Sequence, residues 1–243
     1  MDGFVLGLYL LATFVGGVTT GVAGFAAGLV VSGVWLHIIT PIQTAVLIVG
    51  YALLTQSYSI WKLRHALSLR RLAPFIIGGT AGAPIGVMLL TYIDPAHLRS
   101  GIGVLLVIYS VYGLARPALK PLPGGVAADV GIGFFNGLLG GLTGLGGIIV
   151  TVWCQVRGWP KDVQRAVFQP ASVALLAMAG TALAATGSIS RHTIELFLIG
   201  LPALAIGTWA GFALYGRLDE VTFRKIVLML LLASGLFLLV TFR

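Results

Sequence analysis

Acidic residues are scarce in this chain. There are seven among 243 residues, and Asp2, Asp94, Asp129, Asp162, Glu195, Asp219 and Glu220 all fall near the ends of apolar segments. No two are placed for paired acid–base chemistry, and none sits where a proton relay would cross a span. Cysteine is scarcer: the single Cys154 excludes an internal disulfide and a cysteine metal cluster. H-E-x-x-H, G-x-S-x-G and a phosphate-binding loop are also missing, so an intramembrane enzyme has no motif to rest on. No cofactor and no metal are expected.

What is abundant fixes the class. Hydrophobic residues make up 58% of the chain and charged residues only 9%, with a mean hydropathy of about +1. A water-soluble domain could not carry that composition on its surface, so the chain reads as an integral membrane protein. The formal charge of +8 is accounted for by loop lysines and arginines facing a cytoplasm, without a nucleic-acid partner. The N-terminal "MDGFVLGLYL" lacks a basic region before its apolar run and is read as the start of the first segment rather than a cleavable signal.

Apolar segments occupy about 4–39, 41–63, 72–93, 101–115, 126–156, 166–187, 194–216 and 226–242. They form two sets of four separated by the proline- and glycine-rich "RPALKPLPGG". The sets resemble each other. Gly17, Gly21 and Gly24 align with Gly137, Gly141 and Gly144, "IQTAV" at Ile42 aligns with "VQRAV" at Val163, and "LLTYIDPAHLRS" aligns with "ALYGRLDEVTFRK". The offset drifts only from 120 to about 125 residues, so residues 1–118 and 126–243 read as two repeats joined by a linker at 119–125.

Positive charge decides how the repeats are oriented. If every segment crosses once, the two sides carry 8 and 7 Lys plus Arg, which is no bias. If the two long glycine-rich segments instead enter, turn and return, the sides carry 12 and 3, with only Arg99, Arg191 and Arg243 on the poorer side. The positive-inside rule selects the second arrangement. The expected fold is therefore an all-α polytopic membrane protein of two inverted repeats, each a glycine-rich re-entrant or broken-helix hairpin plus three transmembrane helices. Both termini face outward in this arrangement.

Segments of about 36 and 31 residues suit two short helices of about 20 Å each, meeting at a glycine bend. Their tips, near Thr19–Gly24 and Leu139–Gly144, are expected to meet near the midplane and to line a cavity. Helix N-termini starting at such a bend aim unpaired N–H groups and a positive dipole end at it, which suits a small anion. Thr19, Thr20, Gly21 and Gly24 from the first tip, with Asn136, Gly140, Gly141, Thr143, Gly144, Gly146 and Gly147 from the second, are the candidate ligands. Gln43 and Gln164 occupy matching repeat positions, and Gln56 and Gln169 lie deeper. Each is read either as lining the path or as a helix-to-helix hydrogen bond. Arg165 is read either as an anion attractor at the cytoplasmic mouth or as a positive-inside anchor. Gly78, Gly82 and Gly86, with Ala203, Gly207 and Gly211, are read as packing faces, and Trp35, Trp61, Trp153 and Trp159 as interface belts.

With its paired glycine-rich hairpins, the string "GGLTGLGG" followed by "RGWPKDVQRAVFQ", and its four-plus-four arrangement, the chain resembles the TauE/SafE family of sulfite exporters and toluene-sulfonate uptake permeases along nearly its whole length. Two departures stand out: "GFAAG" at Gly24 replaces a denser glycine run, and "GGIIV" follows the second tip where prolines are frequent. The resemblance implies transport of sulfite, sulfoacetate or another small organosulfur anion, usually outward across a bacterial or archaeal inner membrane. Its partners would be that anion and the lipid bilayer, with a homodimer left open. An anion channel, a coupled sulfonate uptake permease and a membrane-anchoring subunit remain as other readings.

Overall fold

The computed structural model describes residues 2–25, 27–89, 95–115, 121–143 and 147–241. Among these the chain is all-helical, with ten α-helices, one short 3-10 turn at Arg64–Ala66 and no strand. In chain order they are α1 (Gly3–Ala23), α2 (Ala27–Ile38), α3 (Pro41–Lys62), α4 (Leu69–Leu89), α5 (Pro95–Ala115), α6 (Val126–Thr143), α7 (Ile148–Val156), α8 (Lys161–Ala185), α9 (Arg191–Arg217) and α10 (Glu220–Thr241). Four of the described helices, α1, α3, α8 and α9, are long and apolar enough to cross a membrane. The chain is a multi-pass membrane protein.

Backbone contacts divide it into two units, Met1–Lys62 with Leu176–Leu218, and Leu63–Leu175 with Asp219–Arg243. In the first unit, α1 and α2 form a hairpin. They run antiparallel, so that Tyr9 stacks on Trp35 with ring centroids 5.2 Å apart and Gly16 faces Val31. The turn begins at Gly24, whose φ of 84° is a left-handed conformation that glycine adopts without strain; its N–H caps α1 by donating to the Thr20 carbonyl at 2.7 Å. A cluster of Tyr9, Ala12, Val31, Trp35, Leu47, Tyr51, Leu196 and Leu204 fills the unit. The Tyr9 hydroxyl reaches both the Tyr51 hydroxyl and the Leu196 carbonyl at 2.9 Å, tying α1 and α3 to α9.

The other hairpin glycines do something else. Gly17 and Gly21 stay helical and let the backbone of α9 approach: a Cβ at Gly17 would lie 2.8 Å from the Leu204 carbonyl oxygen, and one at Gly21 2.6 Å from that of Thr208. Gly207 and Gly211 answer from α9, facing the Phe14 and Val18 carbonyls. The packing loses nothing to side-chain bulk and offsets the poor helix propensity of glycine.

In the second unit α6 packs on α4 through the same device. Gly82 faces the Phe134 carbonyl, Gly86 that of Leu138, and Gly137 that of Gly79. The glycine faces on α4 and α9 are thus packing faces. The α1/α9 and α6/α4 pairs both run parallel, as the order of their contacts shows. α5 and α10 run antiparallel: Gly103 meets Gly235 near one end, and Gly113 meets Leu228 further along.

The hairpins have unequal limbs, contrary to the expected pair of about 20 Å helices. At 1.5 Å per residue the 21 residues of α1 span about 31 Å and the 12 of α2 about 18 Å, while the 18 of α6 span about 27 Å and the 9 of α7 about 13 Å. The reason is the use of the glycines. Because Gly17 and Gly21 are held helical by their packing on α9, the first limb continues through them and the turn waits until Gly24.

Candidate functional site

The second hairpin carries most of the polar chemistry. Near its open end the Asp129 carboxylate accepts from Trp153 Nε1 at 2.8 Å and pairs with the Arg157 guanidinium at 3.3 Å. Near its turn the Asn136 side-chain oxygen accepts from the Gly147 N–H at 2.9 Å. Gly147 has a φ of 96°, a left-handed conformation that favours glycine, and a Cβ there would displace the Ser172 hydroxyl. The Gly147 carbonyl takes the first helical bond of α7, from the Thr151 N–H at 2.9 Å, and the Thr151 hydroxyl at 2.8 Å. The N–H groups of residues 148–150 therefore have no acceptor within their own helix.

Ser172 lies on α8, which returns beside the hairpin with Gln164 Nε2 donating to the Trp159 carbonyl at 2.7 Å. Arg165, Gln169 and Ser172 are spaced i, i+4 and i+7, so they share one face of α8 with the Gly147 turn at the Ser172 end. The first half of α8 is buried on every side: Gln164, Arg165, Ala166, Val167, Phe168, Gln169, Ala171 and Ser172 are all interior. Arg165 has 0% of its surface exposed. The anchor reading of this residue is thereby corrected, because an anchor must reach water at the membrane surface and this guanidinium is in the core. Pro170 sits inside the same stretch and lacks the N–H that would bond the Ala166 carbonyl.

Arg165 and Gln169 put a guanidinium and an amide on the face of α8 that reaches the start of α7 at Ser172. The described acid of this hairpin, Asp129, is already engaged by Trp153 and Arg157. Such a set suits an oxyanion, which accepts several hydrogen bonds and needs a positive charge when out of water.

The remaining expected site residues are distributed as follows. Thr19 spends its hydroxyl on the Val15 carbonyl at 2.8 Å, and Thr20 is buried in the last turn of α1. Gly21 is occupied with α9, and Gly24 makes the turn. Gln43 forms a capping box with Thr40: the Thr40 N–H donates to Gln43 Oε1 at 3.1 Å and the Gln43 N–H to Thr40 Oγ1 at 3.3 Å. The T-x-x-Q spacing already carried that signal. Gln56 is buried in the first unit, and its Oε1 has no hydrogen-bond partner among the described residues. Gly140 is half-buried in the last turn of α6. Gly144 and Gly146 lie outside the described residues, as do the surroundings of Gly141 and the Thr143 side chain.

Sequence reasoning missed two residues. Ser172 extends the polar face of Arg165 and Gln169 by one turn, a spacing that could have revealed it. Trp35 is corrected from interface belt to core: the antiparallel return of α2 turns its ring onto Tyr9 and Tyr51, leaving 0% exposed. A cavity of about 490 Å³ also opens in the first unit between α3, the end of α8 and α9, lined by residues such as Val49, Leu53, Ala184 and Phe197. Its walls are almost wholly apolar and offer an anion nothing.

A family model described as "Sulfite exporter TauE/SafE" matches residues 9–238, nearly the entire chain. No curated protein and no solved structure gives a significant match.

Proposed function

The chain belongs to the TauE/SafE sulfite exporter family, and on that premise we propose that it moves sulfite or a related organosulfur anion outward across a bacterial or archaeal inner membrane, bound at the second hairpin. The observation that carries the reading is the complete burial of Arg165, on the face of α8 that meets the Gly147 turn two helical turns further along, at Ser172. A guanidinium is expensive to bury in a membrane protein, and ionisable groups kept there commonly mark a substrate path. In the proposed bound state the Arg165 guanidinium supplies the positive charge and Gln169 a neutral amide contact, while Ser172, whose hydroxyl donates to the Phe168 carbonyl at 2.8 Å, lies against the turn. The N–H groups at the start of α7, which have no acceptor within their own helix, take oxygens of the anion. Together they replace the water that the anion gives up on leaving solution.

An inverted-repeat architecture is part of the proposal. The α1/α9 and α6/α4 contacts support it, because they match once the repeat offsets are applied. Gly207 on Phe14 corresponds to Gly82 on Phe134, and Gly211 on Val18 to Gly86 on Leu138. The antiparallel course of α5 against α10 supports it further, since equivalent helices of parallel repeats would run the same way. Alternating access then follows from the two repeats exchanging conformations around a bound anion.

Export needs no coupling ion. One negative charge moving outward across an inside-negative membrane gains about 2.3 kcal/mol per 100 mV, and a dianion about twice that. The test is sulfite flux into or out of liposomes holding the purified chain under an imposed potential, with sulfate, taurine and sulfoacetate as competitors. Saturable flux that follows the potential and needs no pH gradient supports the carrier. Unitary currents would replace it with a channel, and flux that requires a proton or sodium gradient would replace it with a coupled permease.

A further inference from the structure

A second small cavity, about 20 Å³, lies in the first unit between the α1/α2 hairpin and α3. Its walls include Thr13 and Gly16 of α1, Gly28 and Trp35 of α2, and Tyr51 and Thr55 of α3. Small residues create the space: Gly16 and Gly28 present no side chain to it. Its walls are mostly apolar, and Trp35, Thr13 and Thr55 are among the few lining residues that carry polar groups. Trp35 has 0% exposure, and its Nε1 has no hydrogen-bond partner among the described residues. An indole N–H buried in that way loses its hydration and gains nothing in return unless the cavity supplies an acceptor.

The other walls say what the guest must be. Thr13 spends its hydroxyl hydrogen on the Tyr9 carbonyl at 2.7 Å, and Thr55 spends its own on the Tyr51 carbonyl at 2.9 Å. Both hydroxyl oxygens keep lone pairs and can only accept from a guest. The site therefore combines one donor with two acceptors, and an anion would face the two hydroxyl lone pairs. A cavity of about 10 to 15 Å³ suffices for one water, whereas sulfite with its four heavy atoms is too large. We propose that this cavity is a binding site for a single water molecule, which accepts from Trp35 Nε1 and donates to the hydroxyl oxygens of Thr13 and Thr55. The water joins both limbs of the hairpin to α3, and the site does not depend on the transported anion.

The experiment uses the whole chain in lipid nanodiscs with ¹⁵N-labelled tryptophan. The Trp35 indole signal is assigned by its loss in Trp35→Phe, or by elimination with Trp61, Trp153, Trp159 and Trp209 substituted in turn if that variant does not fold. The expected result is cross-relaxation between the Trp35 indole proton and a long-lived water, with a sign that distinguishes it from hydrogen exchange. Gly28→Ala, whose added Cβ would crowd Ile48 at 3.2 Å, should weaken it severalfold. No cross-relaxation with water in the wild-type chain overturns the proposal. So does a saturable shift of the signal on adding sulfite that removes the water contact.

Discussion

The two hairpins share an outer surface and differ in what lies between their limbs. Each presents helix-facing glycines to a partner helix, α1 to α9 and α6 to α4, with matching residues in contact. Inside, the positions 120 residues apart diverge. Where Gly16 touches Val31 and Ala27 in the first hairpin, Asn136 hydrogen-bonds to Gly147 beside Thr151 in the second. Where Tyr9 stacks on Trp35, Asp129 grips Trp153 and Arg157. The helix-facing glycines of both hairpins leave no room for a side chain, whereas the inner faces carry different residues. One hairpin is a packed aromatic clasp and the other a polar one.

The largest effects should fall on the shared surface and be equal in both units. Gly207→Val and Gly82→Val each drive a side chain into a carbonyl of the facing helix, and each should cost about 3 kcal/mol or more, read as loss of monodisperse protein or a lower Tm. Tolerance of one but not the other would break the equivalence. Next comes function, which should be unequal. Arg165→Gln should lower sulfite flux by about 100-fold, roughly 2.7 kcal/mol, while Tyr9→Phe leaves it within about threefold. Comparable losses would mean that both hairpins serve the anion. The clasps themselves should differ in stability: Asp129→Asn should cost about 2 kcal/mol by leaving Arg157 without its carboxylate, and Tyr9→Phe about 1 kcal/mol through lost hydrogen bonds, compared by thermal melts in one detergent. The smallest effect is Gln43→Ala, which removes half of a capping box for about 0.5 kcal/mol and should not alter flux.

Much of the helical content was legible because the bilayer imposes long apolar runs, and the split of the two long segments followed from their length and glycines. The limb lengths were not legible. A glycine that bends the chain and a glycine that admits a neighbouring helix look alike in sequence, and only the conformations of Gly24 and Gly147 separate them. Trp35 was misread because its place near the end of a segment says nothing of which helix face it sits on, and that face packs on Tyr9 and Tyr51. Arg165 could be read two ways because its depth depends on what surrounds α8. The partner helix of each hairpin comes from the other half of the sequence, and such pairings leave no local mark.

The antiparallel meeting of α5 and α10, glycine against glycine at Gly103 and Gly235, has a consequence for ancestry. On the inverted-repeat reading proposed above, α5 packs against its own counterpart in reverse and needs no second gene: two copies of a half-length polypeptide, inserted in opposite senses, would present the same two surfaces to each other. Fusing them would fix one copy in each sense, and only then would the two copies be free to specialise.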